Sequence, residues 1–307
     1  MLISSRPPRL LFAITFIALS VFLLLNAHIW RDSNWVLTPA AIFTTPATNT
    51  SIIPEKIWYK LGPKGLNNES HEWIEGCRQQ NPSYQVEFLT DVSGDVYVQE
   101  HFSEYPDIVS TYLALSVPIL KADFLRYLIL FADGGIWSDL DVSCEGIPIR
   151  EWIPEQYRKD ASIVVGWEFD VGWWDNFERQ FATWTIMAKP GSPHMWKVIR
   201  DIVEGLHKKA EENMVALKGL TMEMAGEVVD LTGPRRMTRS VFKSLNLDYS
   251  NITGLQGPML IKDLVLMPGY SFANSTNTYP EDQIIGPLLV THHYAGTWKN
   301  KDGGEQA

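Results

Sequence analysis

Residues 121–145 read KADFLRYLILFADGGIWSDLDVSCE, and this stretch carries the strongest local pattern in the chain. Its apolar first half predicts a helix that begins at Pro118, a residue suited to a first helical turn, and runs to about Ala132. Gly134 and Gly135 follow and end the helix, because glycine adopts the backbone conformations that close a helix at low steric cost. The next residues, IWSDLDVS, predict a strand.

Two pairs of charged side chains within this helix, turn and strand indicate a possible site. Asp123 and Arg126 are three residues apart and so share one helix face, while Asp139 and Asp141 share one face of an extended strand. We expect both pairs to converge at the carboxyl end of the strand, where open α/β sheets bind ligands. Two carboxylates there would bind Mn²⁺ or Mg²⁺, which neutralises a diphosphate. An Asp-x-Asp alone is common at strand ends, so this prediction depends on the surrounding helix and turn.

The remainder of the body alternates short apolar runs with amphipathic ones, without a repeat or a linker. The chain from residue 53 to 307 is therefore predicted to be one α/β domain with a mixed, mostly parallel sheet that helices cover on both faces. Strands are predicted near residues 52–59, 84–89, 162–167, 183–188, 264–272 and 288–293, with helices near 70–80 and 193–213.

The N-terminal region has a different character. Residues 10–30 contain no charged side chain, and a helix of this length is long enough to cross a membrane. A cleaved signal peptide is the alternative, but Leu25 disfavours the best cleavage site, which ends at Ala27. The arginines of residues 1–9 predict a cytosolic tail and a type II signal anchor. The Thr-, Ala- and Pro-containing residues 31–52 are expected to form a stem.

Composition narrows the function further. The 307 residues include 26 Lys and Arg against 36 Asp and Glu, a net charge of −10 without a basic run, which excludes a nucleic-acid partner. Cys77 and Cys144 are the two cysteines, and the sequence leaves their pairing open. N-glycosylation motifs spread through the chain favour a lumenal body. They begin at Asn49, Asn68, Asn251 and Asn274.

The segment ADFLRYLILFADGGIWSDLDV resembles glycosyltransferase family 32, a DXD-containing family that includes the fungal initiation-specific α-1,6-mannosyltransferases. The family pattern is Ala/Ser-Asp, an Arg three residues later, Gly-Gly-Ile-Tyr and Asp-x-Asp, and Trp137 stands here in place of the tyrosine. Three further words fit the family: IPEKIW at residues 53–58, LTGP at 231–234 and VTHHYAGTWK at 290–299. The resemblance thus covers about residues 53–299.

This resemblance implies a GT-A fold and metal-dependent transfer of a sugar from a sugar nucleotide, with retention at the anomeric carbon. Asp139 and Asp141 would be the catalytic acids and metal ligands, with His292 or His293 completing the metal site. Because neighbouring residues of a strand point to opposite faces, at most one of these histidines should face the site. The remaining implied residues bind the donor: Trp58, by stacking on its base, and Asp123, Arg126, Trp137, Thr297, Trp298 and Lys299.

An acceptor-binding edge is predicted from the residues themselves. Trp173 and Trp174 follow Gly172 in a polar loop, close to Glu168 and Asp170, so that stacking surfaces lie beside hydroxyl acceptors. Glu168 is also a candidate for a group beneath the anomeric centre, although a front-face reaction needs no enzyme nucleophile. Trp167 belongs either to this edge or to the core, and the two aromatic residues after Gly172 are equally compatible with a lid.

These patterns lead to one preferred hypothesis and three alternatives. In the preferred hypothesis, the protein is a single-pass Golgi membrane α-mannosyltransferase that uses Mn²⁺ and GDP-mannose to extend a glycan or glycolipid. This hypothesis also allows partner subunits of a glycosyltransferase complex. The first alternative uses a UDP-sugar and a small-molecule or sphingolipid acceptor. The second is a catalytically silent carbohydrate-binding relative. The third, a two-metal phosphoesterase, is disfavoured because the sequence shows no second carboxylate cluster.

Overall fold

The computed structural model describes residues 52–174 and 177–295. They form nine strands: β1 (Lys56–Lys60), β2 (Gln85–Leu89), β3 (Gly135–Ser138), β4 (Val142–Cys144), β5 (Ile163–Gly166), β6 (Thr185–Ala188), β7 (Met259–Ile261), β8 (Leu264–Met267) and β9 (Val290–His292). The helices of the same residues are α1 (Asn68–Gln80), α2 (Asp91–His101), α3 (Pro106–Ala114), α4 (Pro118–Ala132), α5 (Glu155–Arg158), α6 (Pro193–Glu212), α7 (Met222–Ala225), α8 (Val228–Leu231), α9 (Pro234–Leu245) and α10 (Gly269–Ala273).

Seven strands form the main sheet in the order β2-β1-β3-β6-β5-β8-β7. β1 pairs in parallel with both β2 and β3, and β5 pairs in parallel with β8, whereas β6 and β7 run antiparallel to their neighbours. Five of the seven strands therefore share one direction. The predicted α/β architecture with a mixed, mostly parallel sheet is confirmed, and so is its βαβ opening, β1-α1-β2.

Each face of the sheet packs against its own hydrophobic core. On β1, Trp58 belongs to one core, which includes residues of α2, α3, α4, α6 and α9. Its neighbours Ile57 and Tyr59 belong to the other, which includes residues of α1, β4, β9 and α10. The side chains of a strand point alternately to opposite faces, so a short strand supplies both cores at once. Such double coverage explains why the strands are apolar almost throughout.

A small second sheet pairs β4 with β9 in antiparallel register and lies on the α1 side. A disulfide between Cys77 of α1 and Cys144 of β4 joins this sheet to the helix, with a Cα–Cα distance of 5.0 Å. The pairing that the sequence left open is therefore present. Because β9 is held by β4, the disulfide helps to fix the strand that brings the C-terminal segment to the body.

The predicted helix from Pro118 to Ala132 is confirmed with the same bounds as α4. Gly134 and Gly135 follow with φ of 67° and 98°, and a Cβ on Gly135 would lie 2.7 Å from the Lys56 carbonyl oxygen, so glycine is required there. The predicted strand IWSDLDVS was wrong in its extent, since β3 ends at Ser138 and β4 begins at Val142. The strand predicted near 264–272 likewise ends early, because Pro268 caps α10.

Within residues 52–174 and 177–295, no helix is long and apolar enough to cross a membrane. The predicted cytosolic tail, the signal anchor at 10–30 and the stem up to residue 51 lie outside the described residues.

Candidate active site

The Asp-x-Asp sequence forms the turn that joins β3 to β4. β2 and β3 lie on opposite sides of β1, so the direction in which strands are added to the sheet reverses at β1. Ligands of open α/β sheets bind outside the carboxyl ends of strands at such a reversal. The turn directly follows the carboxyl end of β3, and the prediction that both acids lie at this end of the strand is confirmed.

Beneath this turn lies a buried ion pair on α4. Arg126 Nη2 is 2.9 Å from Asp123 Oδ1, and the two side chains are 7% and 6% exposed. Thr232 Oγ1 donates a hydrogen bond of 2.9 Å to the second carboxylate oxygen of Asp123. Burial raises the pKa of Asp123, although the charge of Arg126 and the hydroxyl of Thr232 oppose that rise. The pair supports the turn from below rather than facing solvent.

Asp139 connects this buried pair to the site. Its Oδ1 atom lies 3.7 Å from Arg126 Nη2 and accepts a hydrogen bond of 2.7 Å from Trp137 Nε1. Arg126 Nη1 donates to the Thr183 carbonyl oxygen at 2.8 Å, so the guanidinium is fixed while it faces Asp139. Trp137, which replaces the family's tyrosine, is buried and acts here as a hydrogen-bond donor to the first acid. Asp139 thus has a fixed position beside a permanent positive charge.

Asp141 has a separate set of partners. His292 Nε2 lies 3.4 Å from its Oδ2 atom, and the Ala295 backbone N–H donates to the same atom at 3.0 Å. Burial raises the pKa of Asp141, but the hydrogen bond and charge of His292 and the Ala295 N–H outweigh it and hold the pKa below its usual 3.8. An ionised carboxylate is therefore present at neutral pH, as a cation ligand requires.

The two adjacent histidines point in different directions, as strand geometry predicts. The His292 ring stacks on Trp184 with centroids 4.3 Å apart. The His293 ring stacks on Trp73 at 4.0 Å, and its Nε2 atom is 2.9 Å from Ser143 Oγ. The structure therefore brings His292 to Asp141 and places His293 against α1.

Asp141 and His292 have donor atoms that fit a divalent cation. A carboxylate oxygen suits Mn²⁺ and Mg²⁺, and an imidazole nitrogen suits several transition metals. In the part of the chain that the structure describes, no group of three or more His, Cys, Asp or Glu residues meets to hold a metal by itself.

The structure does not bring Trp58 to an open surface. Its side chain is 5% exposed, and its Nε1 atom donates a hydrogen bond of 2.9 Å to the Gly134 carbonyl oxygen. Tyr97 packs edge-on against the ring at 6.0 Å, and Lys56 Nζ lies 4.6 Å from its centroid. The predicted stacking on a nucleobase is corrected, because packing between β1 and the helices surrounds this ring.

The predicted acceptor acids are both buried. Asp170 accepts hydrogen bonds from the backbone N–H groups of Gly254 at 2.6 Å and Gly269 at 3.2 Å, so it joins loops and the prediction of a sugar-facing acid is corrected. Glu168 follows β5 and accepts a hydrogen bond from Gln180 Nε2 at 2.7 Å. Its charge raises the pKa of Tyr294, although burial is the larger cause, which places Glu168 on the Tyr294 side of the site.

The aromatic residues of the acceptor loop divide between core and surface. Trp167 is fully buried and packs on Phe181 and Phe242, which resolves the two predicted readings in favour of the core. Trp173 Nε1 donates to the Thr276 carbonyl oxygen at 2.9 Å, whereas Trp174 is 60% exposed. An exposed indole therefore lies beside an anchored one.

Several predicted residues lie elsewhere. Asn68, Asn251 and Asn274 are exposed, in positions open to glycosylation. Asn49, Thr297, Trp298 and Lys299 lie outside the described residues.

Sequence reasoning missed three residues of the site. Thr232 lies in the family word LTGP, which was the signal that could have found it, and Tyr294 lies in VTHHYAGTWK. Trp184 carries no signal, because it is one apolar residue in a predicted strand. Its carbonyl oxygen accepts a hydrogen bond of 2.9 Å from the Asp139 N–H.

Comparison with known families finds a match to the region that contains this site. Residues 67–159 match the model described as "Glycosyltransferase sugar-binding region containing DXD motif", and this range includes Asp123, Arg126, Asp139 and Asp141. The resemblance predicted from the sequence is confirmed over residues 67–159, which are similar to the sugar-binding region of DXD-containing glycosyltransferases.

Two relatives found by sequence comparison have the same name. An initiation-specific α-1,6-mannosyltransferase of Schizosaccharomyces pombe is 32% identical over 81% of this chain and 64% of its own length. One of Candida albicans is 29% identical over 83% of this chain and 74% of its own length. The chain thus covers less than two thirds of the fission-yeast relative. Among solved structures, the PaToxG glycosyltransferase aligns with a TM-score of 0.43 at 15% identity, covering 64% of this chain and 71% of that one.

Proposed function

We propose that the chain is a metal-dependent, retaining GT-A glycosyltransferase that transfers mannose from GDP-mannose to a glycan or glycolipid acceptor. Its place would be the Golgi membrane, as a single-pass type II protein whose catalytic domain is lumenal. The observation that carries the proposal is the junction of two clusters at the carboxyl end of β3. Arg126, paired with Asp123, faces Asp139, and two residues later Asp141 faces His292.

The residues divide the work as follows. Asp141 and His292 would hold Mn²⁺, and a bound cation supplies Lewis-acid stabilisation of the charge that develops on the leaving diphosphate. Asp139 would hold the donor through its remaining acceptor capacity, in an orientation fixed by Trp137 Nε1. Arg126 orients Asp139, and Asp123 compensates the buried guanidinium. These groups are fixed before substrate binds, so their electrostatic contribution needs little reorganisation.

The acceptor would bind on the side of Trp174 and Glu168. Trp174 exposes an indole face, and aromatic faces are suitable surfaces for sugar rings. Tyr294 lies beside both sides, since its ring contacts His292 at 4.0 Å between centroids, and burial together with the charges of Glu168 and Asp141 raises its pKa. The relatives that are named mannosyltransferases support mannose as the transferred sugar.

A donor screen tests the proposal. The full-length chain in detergent would be incubated with GDP-mannose, UDP-galactose, UDP-glucose and UDP-GlcNAc, each with Mn²⁺ and with EDTA, and nucleoside diphosphate release would be measured. We expect Mn²⁺-dependent release of GDP from GDP-mannose. Release from a UDP-sugar would favour the alternative donor, and binding without release from any donor would favour a catalytically silent protein.

A further inference from the structure

Trp184, the residue before β6, contacts both halves of the acidic turn. Its carbonyl oxygen accepts the hydrogen bond from the Asp139 N–H at 2.9 Å, which extends the β3–β6 ladder by one residue. Its indole lies against the His292 ring, with centroids 4.3 Å apart and planes within 19°. His292 in turn contacts Asp141. One side chain and its own peptide thus connect the two acids.

Trp184 is itself firmly held. It is 5% exposed, and its Nε1 atom donates a hydrogen bond of 2.9 Å to the Phe272 carbonyl oxygen on α10. Tyr294 covers His292 as well, with centroids 4.0 Å apart. Tyr294 has a φ of 48°, a left-handed conformation that is uncommon for a tyrosine, and the next residue, Ala295, donates its N–H to Asp141. The imidazole is therefore packed against two aromatic rings, of which that of Trp184 is buried and hydrogen-bonded.

The second nitrogen of His292 explains why the packing of these rings matters. A histidine that binds a metal usually donates its other ring N–H to a carboxylate or carbonyl group, and that hydrogen bond orients the ring. His292 Nδ1 is buried and has no hydrogen-bond partner among the described residues. Besides the contact of its Nε2 atom with Asp141, the orientation of the ring therefore depends on packing, and the nearly parallel indole of Trp184 lies against it at 4.3 Å between centroids.

We infer that Trp184 is a positioning residue that holds the His292 imidazole toward Asp141 by stacking and holds Asp139 through its peptide carbonyl. This inference rests on the proposed function, because it treats Asp141 and His292 as ligands of one cation. Stacking here replaces the hydrogen bond that commonly orients such a histidine. The indole touches no reacting atom, so its effect is on cation affinity.

The chain offers a matched control for this inference. Trp152 is 4% exposed, belongs to the same hydrophobic core and donates its Nε1 hydrogen to a backbone carbonyl, that of Ile147, at 2.9 Å. It also packs against Phe272, at 5.7 Å between centroids. Trp152 therefore shares the burial and the hydrogen bond of Trp184. What distinguishes Trp184 is the contact with His292.

The experiment compares Trp184→Leu, Trp184→Phe and Trp152→Leu in the full-length chain. Mn²⁺ is titrated by isothermal calorimetry with GDP present, and with UDP in parallel, and thermal unfolding is followed in EDTA. We expect Trp184→Leu to weaken Mn²⁺ binding about 10-fold or more, the range found for residues that orient metal ligands. Trp184→Phe, which keeps a flat ring, should retain most of the affinity, and Trp152→Leu should lower only the melting temperature.

Tyr294→Asn gives a second variant if Trp184→Leu fails to fold. Asparagine tolerates the left-handed backbone, and the tyrosine is 47% exposed. This change therefore removes one of the two rings that contact His292 and leaves the core filled. Weaker Mn²⁺ binding by Tyr294→Asn supports the inference. The inference is overturned if Trp184→Leu and Trp152→Leu bind Mn²⁺ with equal affinity. If Trp184→Leu does not fold, it is overturned when Tyr294→Asn binds Mn²⁺ as tightly as the parent. If the parent chain binds no Mn²⁺ with either nucleotide, the proposed metal site is wrong as well. This outcome distinguishes failure of the proposed function from failure of the inference about Trp184.

Discussion

Arg126 Nη2 lies 3.7 Å from Asp139 Oδ1, and this contact joins the buried ion pair of α4 to the first acid of the Asp-x-Asp turn. Asp123, the other partner of Arg126, approaches the same Nη2 atom at 2.9 Å. A guanidinium shared by two carboxylates couples the stability of the body to the geometry of the site, and this coupling can be measured.

Arg126→Met should lower the free energy of unfolding by about 3–5 kcal/mol, because Asp123 would remain buried without its counter-charge. Transferase activity should fall at least 100-fold. The double variant Asp123→Leu with Arg126→Met should regain much of the stability but not the activity, since Asp139 stays without its partner. Urea unfolding and donor turnover measure the two effects. Arg78, which pairs with Glu75 at the same spacing on an exposed surface, is the control, and Arg78→Met should change neither.

His292→Ala should abolish most Mn²⁺-dependent transfer, whereas His293→Ala should leave it within a few-fold of the parent. The two imidazoles are adjacent, but His292 faces Asp141 and His293 stacks on Trp73. Activity measured across a range of Mn²⁺ concentrations distinguishes them. Equal loss in both variants would contradict the assignment of His292.

Trp58→Phe should lower the free energy of unfolding by about 1–2 kcal/mol, because it removes the hydrogen bond to Gly134 and leaves a gap in the core. The KM for the donor should not change, since the ring lies between β1 and its helices. Steady-state kinetics with two nucleotide donors check this. A KM that rises several-fold for both donors would restore the predicted role in base stacking.

Removal of the Cys77–Cys144 disulfide by a double serine substitution should cost about 4 kcal/mol of unfolding free energy in the chain-entropy model, given the sequence separation of 67 residues. Mn²⁺ affinity should fall with it, because the disulfide fixes β4, the partner of the strand that carries His292. Reduction of the parent protein should reproduce both effects. A melting temperature that is insensitive to reductant would show that the bond does not constrain the body.

Asp201 provides a test of pH dependence. Burial raises the pKa of this carboxyl, but hydrogen bonds from Lys197 and Ser240 and the charge of Lys197 hold it below 3.8. A carboxyl with a lowered pKa stabilises the fold above its unfolded pKa, and that contribution disappears as the pH falls through the folded value. The difference in unfolding free energy between the parent and Asp201→Asn should therefore be constant above about pH 5 and shrink below pH 4. A difference that stays constant down to pH 3 would refute this linkage.

The segment 118–145 shows how far sequence reasoning reaches. Its helix was predicted with the bounds of α4, because proline and glycine restrict the backbone locally and need no tertiary partner. The pairing of acids with a histidine at a strand end was also predicted. The division of labour between Asp139 and Asp141 was not, since each acid takes partners from a different part of the chain.

The sequence by itself determined the alternation of strands and helices, the chemistry of the acidic turn and the likeness of this region to DXD-containing glycosyltransferases. These depend on side-chain periodicity, turn residues and short motifs, all of which act over a few neighbouring positions. Only the tertiary structure decided that Trp58 is core, that Trp184 lies against His292, and that His292 rather than His293 faces Asp141. Such choices depend on the packing of residues that lie far apart in the sequence, for which the identity of a single residue carries no local signal.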